Sequence, residues 1–419
     1  MPSANQSATD NLPVSDVQKQ IQDAITPITD SEKIDLSGAL NRILAADVVA
    51  TIDVPAFDNA AMDGYAFSGT DAQQHQLLKI VGRSYAGHPF SGPLQAGQAI
   101  RITTGAPVPL NADTILPHEL AVLTDDNLLD VRPVNFRTGQ NRRRRGEDIA
   151  KGSVGLHKGT RLSPAELGLL ASLGVPEVQV QRRLRVAIFS TGDELRTPGQ
   201  AMNEGGVFDS NRISLGAMLT LSGAEVIDLG VLIDDPAEIE SALRKAAQDV
   251  DVIITSGGVS AGDADYTKQV MQRLGQMNFW SVNMRPGRPL AFGQIRTTVR
   301  PATTYIFGLP GNPVAMMVSF YFFVRPALQL LSGTQVKMPP QIPAIATEAM
   351  PKKIGRTEFQ RGICKLNAEG QMTVSSTGMQ GSGMLSSMTQ ANCLIVLPSG
   401  QGAVSAGDRV HLVLFDGLI

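Results

Sequence analysis

Between Leu184 and Ser332, apolar runs rich in Val and Ile alternate with stretches of helical periodicity. LRVAIFS, RISLGAMLTLSG, EVIDLGVL, PAEIESALRKAAQ, DVIITSGG, YTKQVMQRLG, TTYIFGLPG and PVAMMVSFYFF follow one another. Strands that are apolar on both faces, joined by helices, predict a parallel, doubly wound α/β sheet. Such sheets bind ligands outside the carboxyl ends of their strands, beside helix N-termini. The loops after the strands are therefore where chemistry is to be sought.

The remainder of the 419 residues is enough for further domains at roughly 150 residues each. Residues 1–12 are polar and read as a loose tail with no secretory pattern, which places the protein in the cytoplasm. VSDVQKQIQDAITPI has helical spacing, and SGALNRILAADVVA reads as a second short helix running into a strand. SPAELGLLASLGV begins with Ser163, Pro164 and Glu166 as a capping box and closes at Gly174. These segments predict a discontinuous helical domain over 13–54 and 149–180, interrupted by a β-rich insertion over 55–148 with short apolar pieces between Gly and Pro turns. The α/β domain then runs over 181–335, and short strands over 336–419 predict a small β-barrel.

PVAMMVSFYFFV stops at Arg325-Pro326, short of the roughly 20 residues a membrane helix needs, and reads as a buried helix. A formal net charge of −3 gives no global positive field, so neither nucleic acid nor a membrane surface is an expected partner. Two cysteines and five scattered histidines lack metal-ligand spacing and point away from zinc and from a disulfide framework.

Four loops stand at the expected ligand edge: STGDEL, IDDP, TSGGVSAGDADYTK and GLPGNPV. Gly257, Gly258 and Gly311 allow backbone to approach an anion closely. Glu194, Asp234 and Asp265 would repel that anion unless a hard cation such as Mg²⁺ lies between, taking carboxylate and phosphate oxygens together. The alternative is structural, since Asp235-Pro236 can cap a helix and the GDE and GDAD runs can be turns. Arg285 and Arg288 in NMRPGRP form a stiffened loop suited to clamping an oxyanion, and the four arginines of QNRRRRGED suit carboxylate or phosphate pairing. In FDNAAMDGYAF, Asp58 and Asp63 can serve a tight turn or project a carboxylate.

The motifs FDNAAMDGYAF, RITTGAPVP, RRRRGEDI, FSTGDEL, FDSNR, LGVLIDDP, TSGGVSAGDADYTK, RPGRPLAFG, GLPGNPV and STGMQGSGMLSSM, in this order from about Val14 to the C-terminus, resemble the molybdopterin molybdenumtransferase family, related to the C-terminal part of gephyrin. The resemblance implies a helical domain, an inserted β domain, an α/β domain and a C-terminal barrel. It also implies a homodimer whose active site is shared between subunits, with Asp63 and Thr104 facing the partner's cleft and Asp58 structural. The implied reaction takes adenylylated molybdopterin and molybdate and releases AMP, with a molybdopterin adenylyltransferase as upstream partner. On this reading Glu194, Asp234 and Asp265 hold Mg²⁺ and orient substrate. Gly257, Gly258, Pro310, Gly311 and Pro313 cradle pterin phosphate or AMP, while Arg285, Arg288 and Ser382 receive the oxyanion. Arg143 and Asp148 match the family's arginine loop.

Two positions depart from the family. Lysines stand in several members where this chain has Ser281 and Arg285, and a histidine stands in many where Gly383 follows Ser382. Two other functions remain open on the sequence, adenylylation of molybdopterin by the α/β domain and a gephyrin-like scaffold.

Overall fold

The computed structural model describes residues 11–258, 266–297 and 302–418. They fall into two compact units, one built from the chain up to Glu32 together with Gln181–Ile419, the other from Lys33–Val180.

The first unit carries the α/β sheet. Its elements in chain order are α1 (Val14–Ala24), β1 (Arg185–Thr191), α2 (Ser210–Leu221), β2 (Glu225–Leu232), α3 (Pro236–Ala246), β3 (Val252–Ser256) and α4 (Tyr266–Leu274). There follow β4 (Gly275–Ser281), β5 (Pro289–Ile295), β6 (Thr304–Leu309), α5 (Pro313–Ser319) and α6 (Arg325–Leu331). The sheet order is β2-β1-β3-β6-β5-β4. β2, β1, β3 and β6 are parallel, whereas β5 runs antiparallel to both of its neighbours, β6 and β4. The doubly wound core is thus extended by an antiparallel edge that the alternation of strand and helix does not announce.

Strand periodicity explains the two layers. Val186, Ile188, Ile254 and Phe307 face α2, α5 and α6, while Ala187, Phe189, Ile253 and Ile306 face α3 and α4 through Ile239, Leu243, Val270 and Met271. Burying a residue of this size contributes about 1.5–3 kcal/mol, so each strand is held from both sides. The apolar run from Pro313 to Leu331 is 78% buried inside the protein. Between α5 and α6 it widens into a π-helical turn over Phe320–Val324.

The first helix does not belong with residues 149–180. Val17 and Ile21 of α1 pack into the same cluster as Trp280, Tyr305 and Leu331, and Thr26 N donates to Tyr305 Oη at 2.8 Å. Its apolar face finds its cover on the α/β core. The expected second helix over SGALNRILAADVVA is also absent. Only a helical turn forms at Leu36–Gly38, capped at Ala39, and Asn41 at φ 63° then takes the left-handed conformation, which a continuing helix would not allow. A short strand, Val48–Val49, follows.

The last part of the first unit is a barrel of β7 (Ile342–Ala346), β8 (Thr357–Leu366), β9 (Met372–Ser376), β10 (Cys393–Leu397) and β11 (Arg409–Leu414). Pairing runs β8-β9-β7-β11-β10 and returns to β8, which closes the five strands and leaves no free edge among them.

The Lys33–Val180 unit holds a six-stranded sheet in the spatial order Thr114–Pro117, Gly64–Phe67, Gln98–Ile102, Leu77–Ser84, Leu128–Asp130, Val122–Leu123. A separate ladder joins Asn59–Ala60 to Arg142–Arg143. The helix Pro164–Ser172 starts with the capping box read from the sequence, Ser163 and Glu166 each closing on the other's backbone.

Candidate functional site

A cleft of about 990 Å³ opens at the carboxyl ends of β1, β3 and β6 and is walled by the Arg285–Pro289 loop and the Gln380–Gly383 loop of the barrel. That size suits a ligand as large as a nucleotide-bearing molecule. Glu194, Gly257, Arg285, Arg288, Pro310, Gly311, Pro313 and Ser382 all line it, so eight of the residues singled out in the sequence converge.

The two glycine turns meet at its floor. Gly257 adopts φ 95°, where a side chain would be strained, and its N–H donates to Leu309 O at 3.0 Å. A Cβ placed on Gly311 would lie 3.7 Å from Gly257 Cα, which shows how closely the turns pass. Asn211, at the start of α2, ties them: its amide donates to Ser256 Oγ and to Gly311 O, each at 2.6 Å. Two residues back, Asp209 caps α2 by accepting from Arg212 N at 3.1 Å, and the buried Arg212 guanidinium bridges Asp209 and Asp228. Ser190 Oγ and Asn211 Oδ1 are buried there without a hydrogen-bond partner among the described residues.

Glu194 is exposed, and its carboxylate makes no hydrogen bond or ion pair among the described residues. Beneath it Gly192 adopts φ 147°, a backbone conformation that residues with a side chain rarely take. The adjacent acids differ. Asp209 is committed to Arg212, and Asp235 accepts from Ala237 N and Glu238 N at 2.9 Å each as the cap of α3. Asp234 does not line the cleft, because it follows β2, the edge strand, whereas the cleft lies over the inner strands. Gly258 also stays out of the lining, and Asp265 lies outside the described residues. Among the described residues no three acidic, histidine or cysteine side chains gather as a metal cluster. Glu194 is thus the one uncommitted carboxylate lining the cleft among the described residues.

The cleft is basic on its barrel side. Arg285 Nη1 stands 3.8 Å from Glu358 Oε1, while Arg356 lines the cleft with no partner among the described residues. Beneath the Gln380–Gly383 loop, Arg361 is 1% exposed and donates from Nε to Ser387 Oγ at 2.9 Å and from Nη2 to Gly381 O at 3.0 Å. Burial first, and Arg285 second, push its pKa down to about 10. The loop is fastened on its other side by Val314 N, which donates to Ser382 O at 3.1 Å. Gly383 leaves space, as an added Cβ would meet nothing nearer than Asn312 Oδ1 at 3.8 Å. Asn211, Arg356 and Arg361 were not among the expected site residues. FDSNR was visible as a motif, but a lone arginine in a strand carries no local signal.

In the Lys33–Val180 unit, Asp63 and Thr104 come together as a pair. Asp63 Oδ1 accepts from Thr104 N at 2.6 Å and from Thr104 Oγ1 at 2.8 Å, and these bonds, the backbone one foremost, hold its carboxyl below the usual range. Asp58 accepts from Arg145 N at 2.8 Å and pairs with Arg142 at 3.6 Å, so it fastens the arginine loop. Arg143 and Asp148 are exposed and make no side-chain bond among the described residues.

A doubly wound α/β domain with paired glycine turns and a basic rim defines an anion-binding cleft at the carboxyl ends of its strands. Three family models match: MoeA N-terminal region (domain I and II) over residues 12–174, probable molybdopterin binding domain over 187–330, and MoeA C-terminal region (domain IV) over 343–415. The chain is 43% identical to the molybdopterin molybdenumtransferase of Haemophilus influenzae over 93% of this chain and 95% of that one. It is 36% identical to the molybdopterin molybdenumtransferase of a Nostoc species over 91% and 88%. The crystal structure of the molybdopterin biosynthesis moeA protein from Pyrococcus horikoshii superposes with a TM-score of 0.81 at 30% identity, covering 97% of this chain and all of that one. The chain belongs to the molybdopterin molybdenumtransferase family.

Proposed function

We propose that the chain inserts molybdenum, taking adenylylated molybdopterin and molybdate and releasing AMP. The observation that supports this best is the pairing, in one cleft, of an uncommitted carboxylate, Glu194, with a rim of arginines and two glycine turns. Water adds to phosphorus as the phosphoanhydride P–O bond breaks, giving AMP and the pterin phosphate, and the two dithiolene thiols displace one oxygen of molybdate, their protons leaving with it as water. Such chemistry depends mostly on positioning and on neutralising charge.

In this reading Gly257 and Gly311 bring backbone against the phosphates, and Pro310 and Pro313 stiffen the turn that does so. Arg285, Arg288 and Arg356 balance the incoming negative charge, and Ser382 offers a hydroxyl to the oxyanion. Glu194 holds Mg²⁺, with Asp265 as the proposed second carboxylate. The ion's contribution when bound is to neutralise phosphate charge. A second copy of the chain is proposed to complete the site with Asp63 and Thr104, and with Arg143 and Asp148 from its arginine loop. An adenylyltransferase acting on molybdopterin must supply the substrate.

The test is AMP release from adenylylated molybdopterin with Mg²⁺, with and without molybdate. Release that depends on molybdate and consumes no ATP is expected. ATP consumption would move the assignment to adenylylation, and inertness would favour a scaffold role like that of gephyrin.

A further inference from the structure

Ser281 is half-buried and stands behind the cleft wall rather than in it, with two side chains bonded to its hydroxyl. Its Oγ accepts from Arg288 Nε at 2.7 Å and donates to Asn11 Oδ1 at 2.9 Å. Asn11 is held in place by backbone pairing of its neighbour. Leu12 N donates to Ser281 O at 3.0 Å, and Asn283 N donates to Leu12 O at 2.7 Å, so the segment lies along the end of β4. Val282 N donates to Arg288 O at 2.7 Å and closes the base of the loop that carries both cleft arginines.

A hydroxyl has one proton and two lone pairs. With its proton given to Asn11, Ser281 Oγ can only accept from Arg288, and a donating hydroxyl is a better acceptor than a free one. Arg288 therefore has Nε fixed, while neither Nη is engaged by a hydrogen bond or ion pair among the described residues. Arg285, in contrast, has Glu358 beside it. A guanidinium pinned at Nε with both Nη groups open is a fork prepared for two parallel bonds to an oxyanion.

We propose that Asn11 and Ser281 are positioning residues that aim the Arg288 fork at a tetrahedral dianion in the cleft, either a substrate phosphate or the oxometallate. This rests on the function proposed above, and it places the start of the chain in the machinery of a site some 270 residues away in sequence. Ser281, where family members carry lysine, then gives up one charge and controls the direction of another.

The test measures binding of molybdate alone and of AMP alone by calorimetry to the full chain and to Asn11→Ala, Ser281→Ala, Ser281→Thr, Arg288→Ala and the double variant Asn11→Ala/Arg288→Ala. Asn11→Ala and Ser281→Ala should each weaken one of the two ligands about three- to tenfold, and Ser281→Thr should restore it. Whichever ligand weakens identifies the dianion. The Asn11→Ala effect should vanish in the Arg288→Ala background, which a merely structural role would not produce. In turnover the loss should appear in KM and leave kcat nearly unchanged. Additive losses, or unchanged binding in Asn11→Ala while the unmodified chain binds, would overturn the relay. If the unmodified chain binds neither ligand and releases no AMP, the proposed function itself fails.

Discussion

In the cleft-bearing unit Arg212 is 7% exposed and shared between Asp209 and Asp228, whereas in the Lys33–Val180 unit Arg145 is exposed and reaches Asp53 across a loop. Both arrangements pair arginine with aspartate. Buried, the pair fixes the start of α2 and with it the place of Asn211 before any ligand arrives. Exposed, it only draws two loops together, and ions in solution compete with it. The same contrast separates Asp209, consumed by its cap, from Glu194, left open to the cleft. Charge is rigid where geometry must be prepared and loose where a group must meet something new.

The sharpest way to break this comparison is Glu194→Gln. If Glu194 is functional and not structural, AMP release should fall on the order of a hundredfold or more while the unfolding midpoint stays put. A shifted midpoint with activity retained would reverse the assignment. Next in size, Arg212→Leu strands two aspartates, one of them 2% exposed, and should cost about 3 kcal/mol in denaturant unfolding followed by the lone tryptophan, Trp280, in the same unit. Arg145→Ala should leave the midpoint in high salt indistinguishable from that of the unmodified chain. A comparable loss from both would erase the distinction between them.

Ser163→Ala removes the cap of the Pro164–Ser172 helix and should cost about 1 kcal/mol, read by circular dichroism. Smallest is a pH effect at Asp63. Its folded carboxyl titrates below the unfolded value near 3.8, so the stability it adds is complete above that value and disappears as pH falls through the lower folded one. Asp63→Asn should lower the melting temperature at neutral pH and flatten its fall below about pH 4, so that the two chains converge in acid. Identical acid limbs would mean that the Thr104 bonds do not depend on the charge.

The parallel strands were legible because runs such as VAIFS and VIITS leave a strand nothing to do but be buried on both faces. The β4–β5 hairpin was not, since GQMNFWS alternates weakly and its apolar partners Trp280 and Phe292 meet only across strands, rings 6.1 Å apart. Helix α1 was read correctly as a helix and wrongly placed, because an amphipathic stripe states that a face is buried and not against what. At the site, Glu194 and the glycine turns could be found from loop position. Asp235 could be read as the cap because Pro236 follows it, but the edge position of β2, which keeps Asp234 out of the cleft lining, is carried by no local pattern. Arg361 was invisible for the opposite reason, as its partners, the Gly381 carbonyl and the Ser387 hydroxyl, lie twenty or more residues later in the chain.

The π-helical turn at Phe320–Val324 carries a consequence for how this chain can vary. Five residues per hydrogen-bonded step mean that the helix has absorbed one residue more than a regular repeat allows. Downstream, α6 is rotated by about 100° from where an uninterrupted helix would put it, and Leu328 and Leu331 meet the core in that rotated phase. Deleting one residue from this turn would restore an ordinary helix and turn both leucines outward. The wide turn thus works as a vernier between the segment that begins at the cleft and the segment that seats the first helix of the chain, and it marks the place where the length of this helix is most tightly prescribed.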